Sequence, residues 1–202
     1  MSRITALAVI ALAALTASCT TLPSLEGRTA TTALTDTADT RLGRAVAAGV
    51  TANPGKMGIH TLFNPHEAFA ARALLAAHAE KSLDVQYYIW QGDQVVYLLF
   101  EALLKAAERG VRVRLLLDDI NTGGLDPTIA VLDAHPNLEV RLYNPVTQRG
   151  ARILNFLTDF ERVNRRMHNK SFTVDNQVSI VGGRNIGNEY FEAGEGVAFV
   201  DL

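Results

Sequence analysis

The chain has 202 residues, of which 48% are hydrophobic, 20% charged and 7% aromatic, enough apolar matter for one packed domain and too much for a chain disordered throughout. A formal net charge of −2 and a pI near 6.2 argue against a surface built wholly for nucleic acid. Charge is uneven, however: between Arg149 and Lys170 six bases (Arg149, Arg152, Arg162, Arg165, Arg166, Lys170) meet two acids (Asp159, Glu161), which reads as either a local anion site or a solvated basic face.

The amino terminus reads as a targeting segment. Arg3 precedes an Ala/Leu/Ile/Val run from Ile4 to Ala17, shorter than the ~20 residues of a spanning helix and of signal-peptide size. It ends in LTASCTT around Cys19, the sole cysteine, which resembles the lipobox of bacterial lipoproteins. Residues 1–18 are accordingly expected to be a lipoprotein signal peptide and Cys19 the lipid attachment site. Ordinary cleavage and an uncleaved anchor are the alternatives, and all three place the rest of the chain in the cell envelope. A lone cysteine excludes an internal disulfide, so packing must hold the fold. Residues 19–64, rich in Thr, Ala, Gly and Pro with no sustained apolar period, read as a linker that drapes over a domain spanning 65–202.

From residue 65 the pattern is regular. EAFAARALLAAHAEKS has helical spacing and predicts a helix over 66–81. LDVQYYIW predicts a strand with Val85, Tyr87 and Ile89 on one face; Tyr87 is expected in the core and Tyr88 in a cleft wall. VVYLLFEALLKAAERG predicts a helix stopped by Gly110. VRVRLLLDD predicts a strand buried on both faces at its far end. A helix over 127–134 and the strand LEVRLYN follow. The alternation implies an α/β fold with a mixed, mainly parallel sheet flanked by helices. Asp118, Asp119 and Asn144 end strands where such sheets place their sites, and either line a cleft or cap loops, with capping favoured for Asp118.

The segment RRMHNKSFTVDNQVSIVGGRNIG predicts a β-hairpin turning at Asp175-Asn176-Gln177. Residues two apart share a strand face, so His168 and Lys170 point together, and Phe172 and Val174 continue that row into the core. Gly182 and Gly183 let the backbone pass close to a ligand and leave Asn185 to turn back toward the same point. An imidazole, an ammonium and an amide in that arrangement suit a tetrahedral anion.

His168, Lys170, Asp175, Gly182, Gly183 and Asn185 fit H-x-K-x4-D-x6-G-G-x-N, and the chain here resembles the phospholipase D superfamily. SLDVQYYIW, RGVRVRLLLDDIN, HPNLEVRLYNP and GGRNIGNEYF extend the resemblance to bacterial cardiolipin synthases, those of the C type above all, over about residues 68–202. Val96 stands where relatives tend to have glycine.

The resemblance implies an α-β-α sandwich and a phosphohistidine mechanism without metal or cofactor. It makes His168 the nucleophile or general acid, Lys170, Asn185 and Gly183 the phosphate-binding groups, and Asp175 an orienting or structural member of the catalytic set. Arg184 is expected to reach a lipid headgroup or a neighbouring carboxylate. In-line displacement at phosphorus needs groups on opposite sides, so one histidine cannot suffice. His60, His66, His78 and His135 have no lysine two places on; His135, in a turn before proline, reads as structural. The closing GVAFVDL reads as a strand without its sequel, and the chain is therefore read as an amino-terminal half whose second motif lies in a missing carboxyl-terminal half, with a homodimer of complete single-motif subunits as the alternative. Three functions fit: phosphatidyl transfer or hydrolysis on membrane phospholipid, a homodimeric nuclease, for which the pI is unfavourable, or an inactive envelope protein.

Overall fold

The computed structural model describes residues 22, 24–196 and 198–199. The expected signal peptide, Cys19 and part of the closing GVAFVDL strand lie outside these residues. The described elements are α1 (Arg41–Ala52), α2 (Pro65–His78), β1 (Ser82–Tyr87), α3 (Gln94–Glu108), β2 (Arg112–Asp118), α4 (Asp126–Asp133), β3 (Leu138–Tyr143), the short helices α5 (Arg152–Thr158) and α6 (Phe160–Val163), β4 (Ser171–Val174) and β5 (Val178–Val181).

Local chemistry sets the boundaries. Asn64 caps α2 by accepting from Glu67 N, with Pro65 in the first turn, and Asp93 caps α3 through Val96 N; both satisfy amides that a helix start leaves without partners. Gly110 ends α3 at φ 92°, a left-handed conformation that favours glycine. The hairpin turns as expected: Asp175 and Asn176 both take φ 50° and Gln177 N donates to Val174 O.

The sheet is five-stranded in the order β3-β2-β1-β4-β5. β1, β2 and β3 are parallel, while β4 runs antiparallel to β1 and β5 to β4. The α/β class and mixed sheet are those anticipated. Leu83, Val85, Tyr87, Val113, Leu115, Leu117, Phe172 and Val174 form one buried sheet face and pack with residues of α2, α3 and α4; each such side chain contributes roughly 1.5–3 kcal/mol through burial. Burial on both faces reaches β2 only at its end, from Leu117 onward. Tyr87 is 1% exposed and accepts from Arg72 Nε at 3.0 Å, so burial pushes its phenol up against the opposing pull of that guanidinium.

The other face of the sheet is half-buried and carries Asp84, Arg112, Arg114, Glu139 and Arg141. An extended strap crosses it. Arg112 donates to Thr32 O, Arg114 to Thr31 O and Arg141 to Thr29 O. Residues 29–32 thus lie against the sheet, and the segment read as a linker also contains α1, which sequence reading missed. Thr40 caps α1, its hydroxyl oxygen accepting from Gly43 N at 3.1 Å; a threonine followed by Leu42 and Val46 four apart was the available signal.

Candidate active site

Register places His168 and Lys170 at the end of the sheet where β1 finishes. β1 ends opposite the start of β4, with Gln86 paired to Ser171, so the residues before β4 continue past the ends of the parallel strands. His168 and Lys170 therefore precede the ladder rather than lying within it, which shortens the strand expected over MHNKSFTV. They still share a side. The exposed His168 ring stacks on Tyr88, centroids 4.0 Å apart and planes at 22°. Lys170 Nζ lies 5.4 Å from the same ring and donates to His168 O at 2.9 Å. Below them Phe172 and Val174 are fully buried, so the polar pair stands at the rim of the core, as the two-residue period predicts.

Asn185 comes from the other arm. Past the exposed Gly182 and Gly183 the chain turns inward, and residues 184–187 are buried. Ile186 N donates to Ile89 O and Gln91 N to Ile186 O, so this segment lies beside the extension of β1. Asn185, 6% exposed, accepts from Ile89 N at 3.1 Å and donates to Tyr190 Oη at 3.1 Å. Consecutive residues thus join the motif's two ends: Tyr88 carries His168 and Lys170, and Ile89 carries Asn185. Tyr88 is a floor for both polar groups, more than the cleft wall expected of it. Tyr190 is a site neighbour that sequence did not single out.

Asp175 stands apart, at the opposite end of β4. It is fully buried and accepts from Lys81 N at 2.8 Å, Ser82 N at 2.9 Å and Glu80 N at 3.1 Å. These bonds are those of the structural role among the two expected of it: it clamps the entry to β1. Arg184 is turned inward. Its guanidinium is 5.8 Å from the Phe191 ring, donates to the carbonyls of Tyr190 and Phe63, and the residue is 4% exposed, so it ties backbone segments together and is buried where a headgroup contact was expected.

The strand-end residues are scaffold, not cleft lining. Asp118 and Asp119 are fully buried. Asp118 caps the turn at Ile120 N, as favoured from sequence. Asn144 donates to the carbonyls of Arg162 and Arg165. The basic stretch proves equally committed. Arg149 bonds Asp119 and Asp126, Arg152 bonds the Asp119 carbonyl, Arg162 bonds Asp159 and Asn144, Arg165 pairs with Glu161 and Arg166 with Asp118. The anion site considered for these five arginines is therefore replaced by a network that fixes the loops around β2 and β3. His78 Nδ1 lies 3.1 Å from Arg41, and His135 Nδ1 accepts from Asn137 N, consistent with a structural role; they precede the starts of β1 and β3, whereas Tyr88 follows the end of β1.

The network has a pH signature. The hydrogen bond from Arg149 holds the Asp126 carboxyl below its ordinary value of 3.8, against the opposing effect of burial. A carboxyl lowered on folding stabilises the fold above about pH 4 and loses that contribution as pH falls through its native value. Asp126→Asn is expected to flatten the decline of the thermal midpoint as pH falls below about 4; an unchanged decline contradicts the pairing.

With this geometry in place, comparisons place the chain among known proteins. The family model described as "Cardiolipin synthase, PLD-like domain" matches residues 74–200. Cardiolipin synthase C of Escherichia coli K12 is 59% identical over 162 residues, covering 80% of this chain and 34% of that protein. An uncharacterized protein of Helicobacter pylori J99 is 40% identical over 172 residues, covering 83% and 34%. Among solved structures, NucT from Helicobacter pylori superposes with a TM-score of 0.47 at 20% identity, over 63% of this chain and 72% of that one. The chain spans about a third of the length of these two curated relatives.

Proposed function

Because the chain belongs to the cardiolipin synthase, PLD-like domain family, we propose that it supplies one histidine of a phosphodiester-transfer site that moves phosphatidyl groups between alcohols on membrane phospholipid. The observation that carries this reading is the convergence of His168 and Lys170 on the Tyr88 ring, with Asn185 anchored one residue further at Ile89. An exposed imidazole with an ammonium and an amide nearby is what an anionic phosphodiester needs. The 59% identity to a cardiolipin synthase over 162 residues supports phospholipid as the substrate class.

In the proposed cycle a ring nitrogen of His168 attacks phosphorus; a P–N bond forms as a P–O bond breaks. The leaving alkoxide takes a proton from a second imidazole on the opposite side. Lys170 and Asn185 hold non-bridging oxygens, the charged donor contributing more than the amide. An incoming alcohol, or water in the hydrolytic variant, gives its proton to that second imidazole and attacks phosphorus, and His168 departs. The partner imidazole comes from further polypeptide carrying a second motif or from a second copy of this chain.

Incubation with phosphatidylglycerol vesicles, and separately with DNA, tests the proposal. Quenching in alkali preserves a phosphohistidine for mass spectrometry of the peptide holding residues 167–184. A phosphatidyl adduct on His168 is the expected result. Cleavage of DNA with no lipid adduct would give the site to the nuclease reading, and silence toward both would leave the chain without catalysis.

A further inference from the structure

We infer that Asp118 is a positioning residue for His168, a buried carboxylate at the end of β2 that fixes the backbone leading into the imidazole so that the ring lies against Tyr88. The inference rests on His168 being the reacting imidazole. It starts from the course of the backbone into His168. α6 ends at Val163 and β4 begins at Ser171, so the backbone of 165–170 belongs to no helix or ladder. Asp118 supplies the attachment. It accepts from Arg166 Nη1 at 2.8 Å and from Met167 N at 2.8 Å, the two residues directly before His168.

Capping the turn after β2 needs only the third bond, from Ile120 N at 3.0 Å. The other two tie separate parts of the sequence together, 48 and 49 residues apart. Arg166 reinforces the same point by donating to Asn144 O at 2.9 Å. Asp118 is fully buried and the Arg166 side chain 10% exposed, so both are shielded from competing water, where charge-assisted bonds hold geometry best. A stack at 4.0 Å does not survive a shift of an ångström or so in its backbone, and misplacement on that scale costs a reaction about 10²-fold.

The test reads the imidazole directly, in the 202-residue chain. The Tyr88 ring displaces the His168 ring-proton resonances upfield; His168→Asn assigns them, and Tyr88→Leu calibrates the displacement. Asp118→Asn keeps the shape and removes the charge. It is expected to abolish more than about half of the displacement and to raise amide exchange at residues 166–168 roughly tenfold, while the other four histidines and the Leu83 and Val174 methyl signals stay in place. Asp119→Asn is the control for a merely structural effect, because Asp119 is an equally buried neighbour tied instead to Val146 N and Arg149; it is expected to lower stability and leave His168 unmoved. A folded Asp118→Asn chain with the His168 displacement intact overturns the inference, as does an equal displacement loss in Asp119→Asn. If Asp118→Asn does not fold, Arg166→Gln decides by the same criteria. The resonance is read without turnover, so a failed lipid assay beside the expected shifts would remove the catalytic reading and leave the positioning geometry standing.

Discussion

Exchange of His168 for asparagine is expected to lower phosphodiester turnover by roughly 10³-fold or more, with the unfolding midpoint almost unchanged. The two halves of that result come from different places in the structure. Turnover falls because the proposed P–N bond has no other imidazole on this side of phosphorus. Stability holds because His168 is exposed and precedes the ladder, so the loss is confined to one stack on Tyr88, about 1 kcal/mol or less. The measurement is a paired one: alkali-stable adduct from phosphatidylglycerol, and a urea transition on the same preparation. Adduct formation at the normal level in the variant would show that another group performs the attack.

Asp175→Ala is expected to do the reverse of this, destabilising the chain by about 3–5 kcal/mol. Three buried or part-buried backbone amides, those of Glu80, Lys81 and Ser82, donate to its carboxylate. Removing the acceptor leaves them without it where water enters poorly. Alanine also has to adopt φ 50°, a left-handed conformation that costs roughly 1–2 kcal/mol. Asp175→Asn retains an oxygen and tolerates the turn, and should lose about half as much. Against a typical total of about 5–15 kcal/mol, the alanine variant is on the edge of unfolding at body temperature. A lower urea midpoint at unchanged slope identifies the effect; a normal midpoint with lost turnover would instead restore Asp175 to the chemistry.

These two residues belong to one sequence signature and do opposite work, which shows what the sequence could and could not disclose. Local pattern was legible. Alternating and helical periods found the parallel strands and three helices, Gly110 marked a helix end, and Asp175-Asn176 marked the turn. The two-residue period put His168 and Lys170 together and Phe172 and Val174 beneath them. What escaped was long-range. A run of arginines looked like an anion site because their partners, Asp119 for Arg149 and Asp118 for Arg166, lie 30 and 48 residues away. Arg184 was expected to reach a headgroup for a similar reason, since the Phe63 carbonyl it meets is 121 residues distant. α1 escaped through composition: its Ala- and Gly-rich sequence buries only Gly43 fully, too narrow an apolar stripe to read.

The position of β1 in the sheet carries a consequence for synthesis. Its neighbour β2 emerges from the ribosome soon after it, but its other neighbour, β4, and the Asp175 carboxylate arrive 93 residues after Ser82. At about 5–20 residues per second this is a wait of roughly 5–20 s, during which Leu83 to Gln86 offer an unpaired strand edge to any passing nascent chain. The interval between those two pieces of the polypeptide is where translation speed and chaperone occupancy bear most heavily on the yield of folded protein.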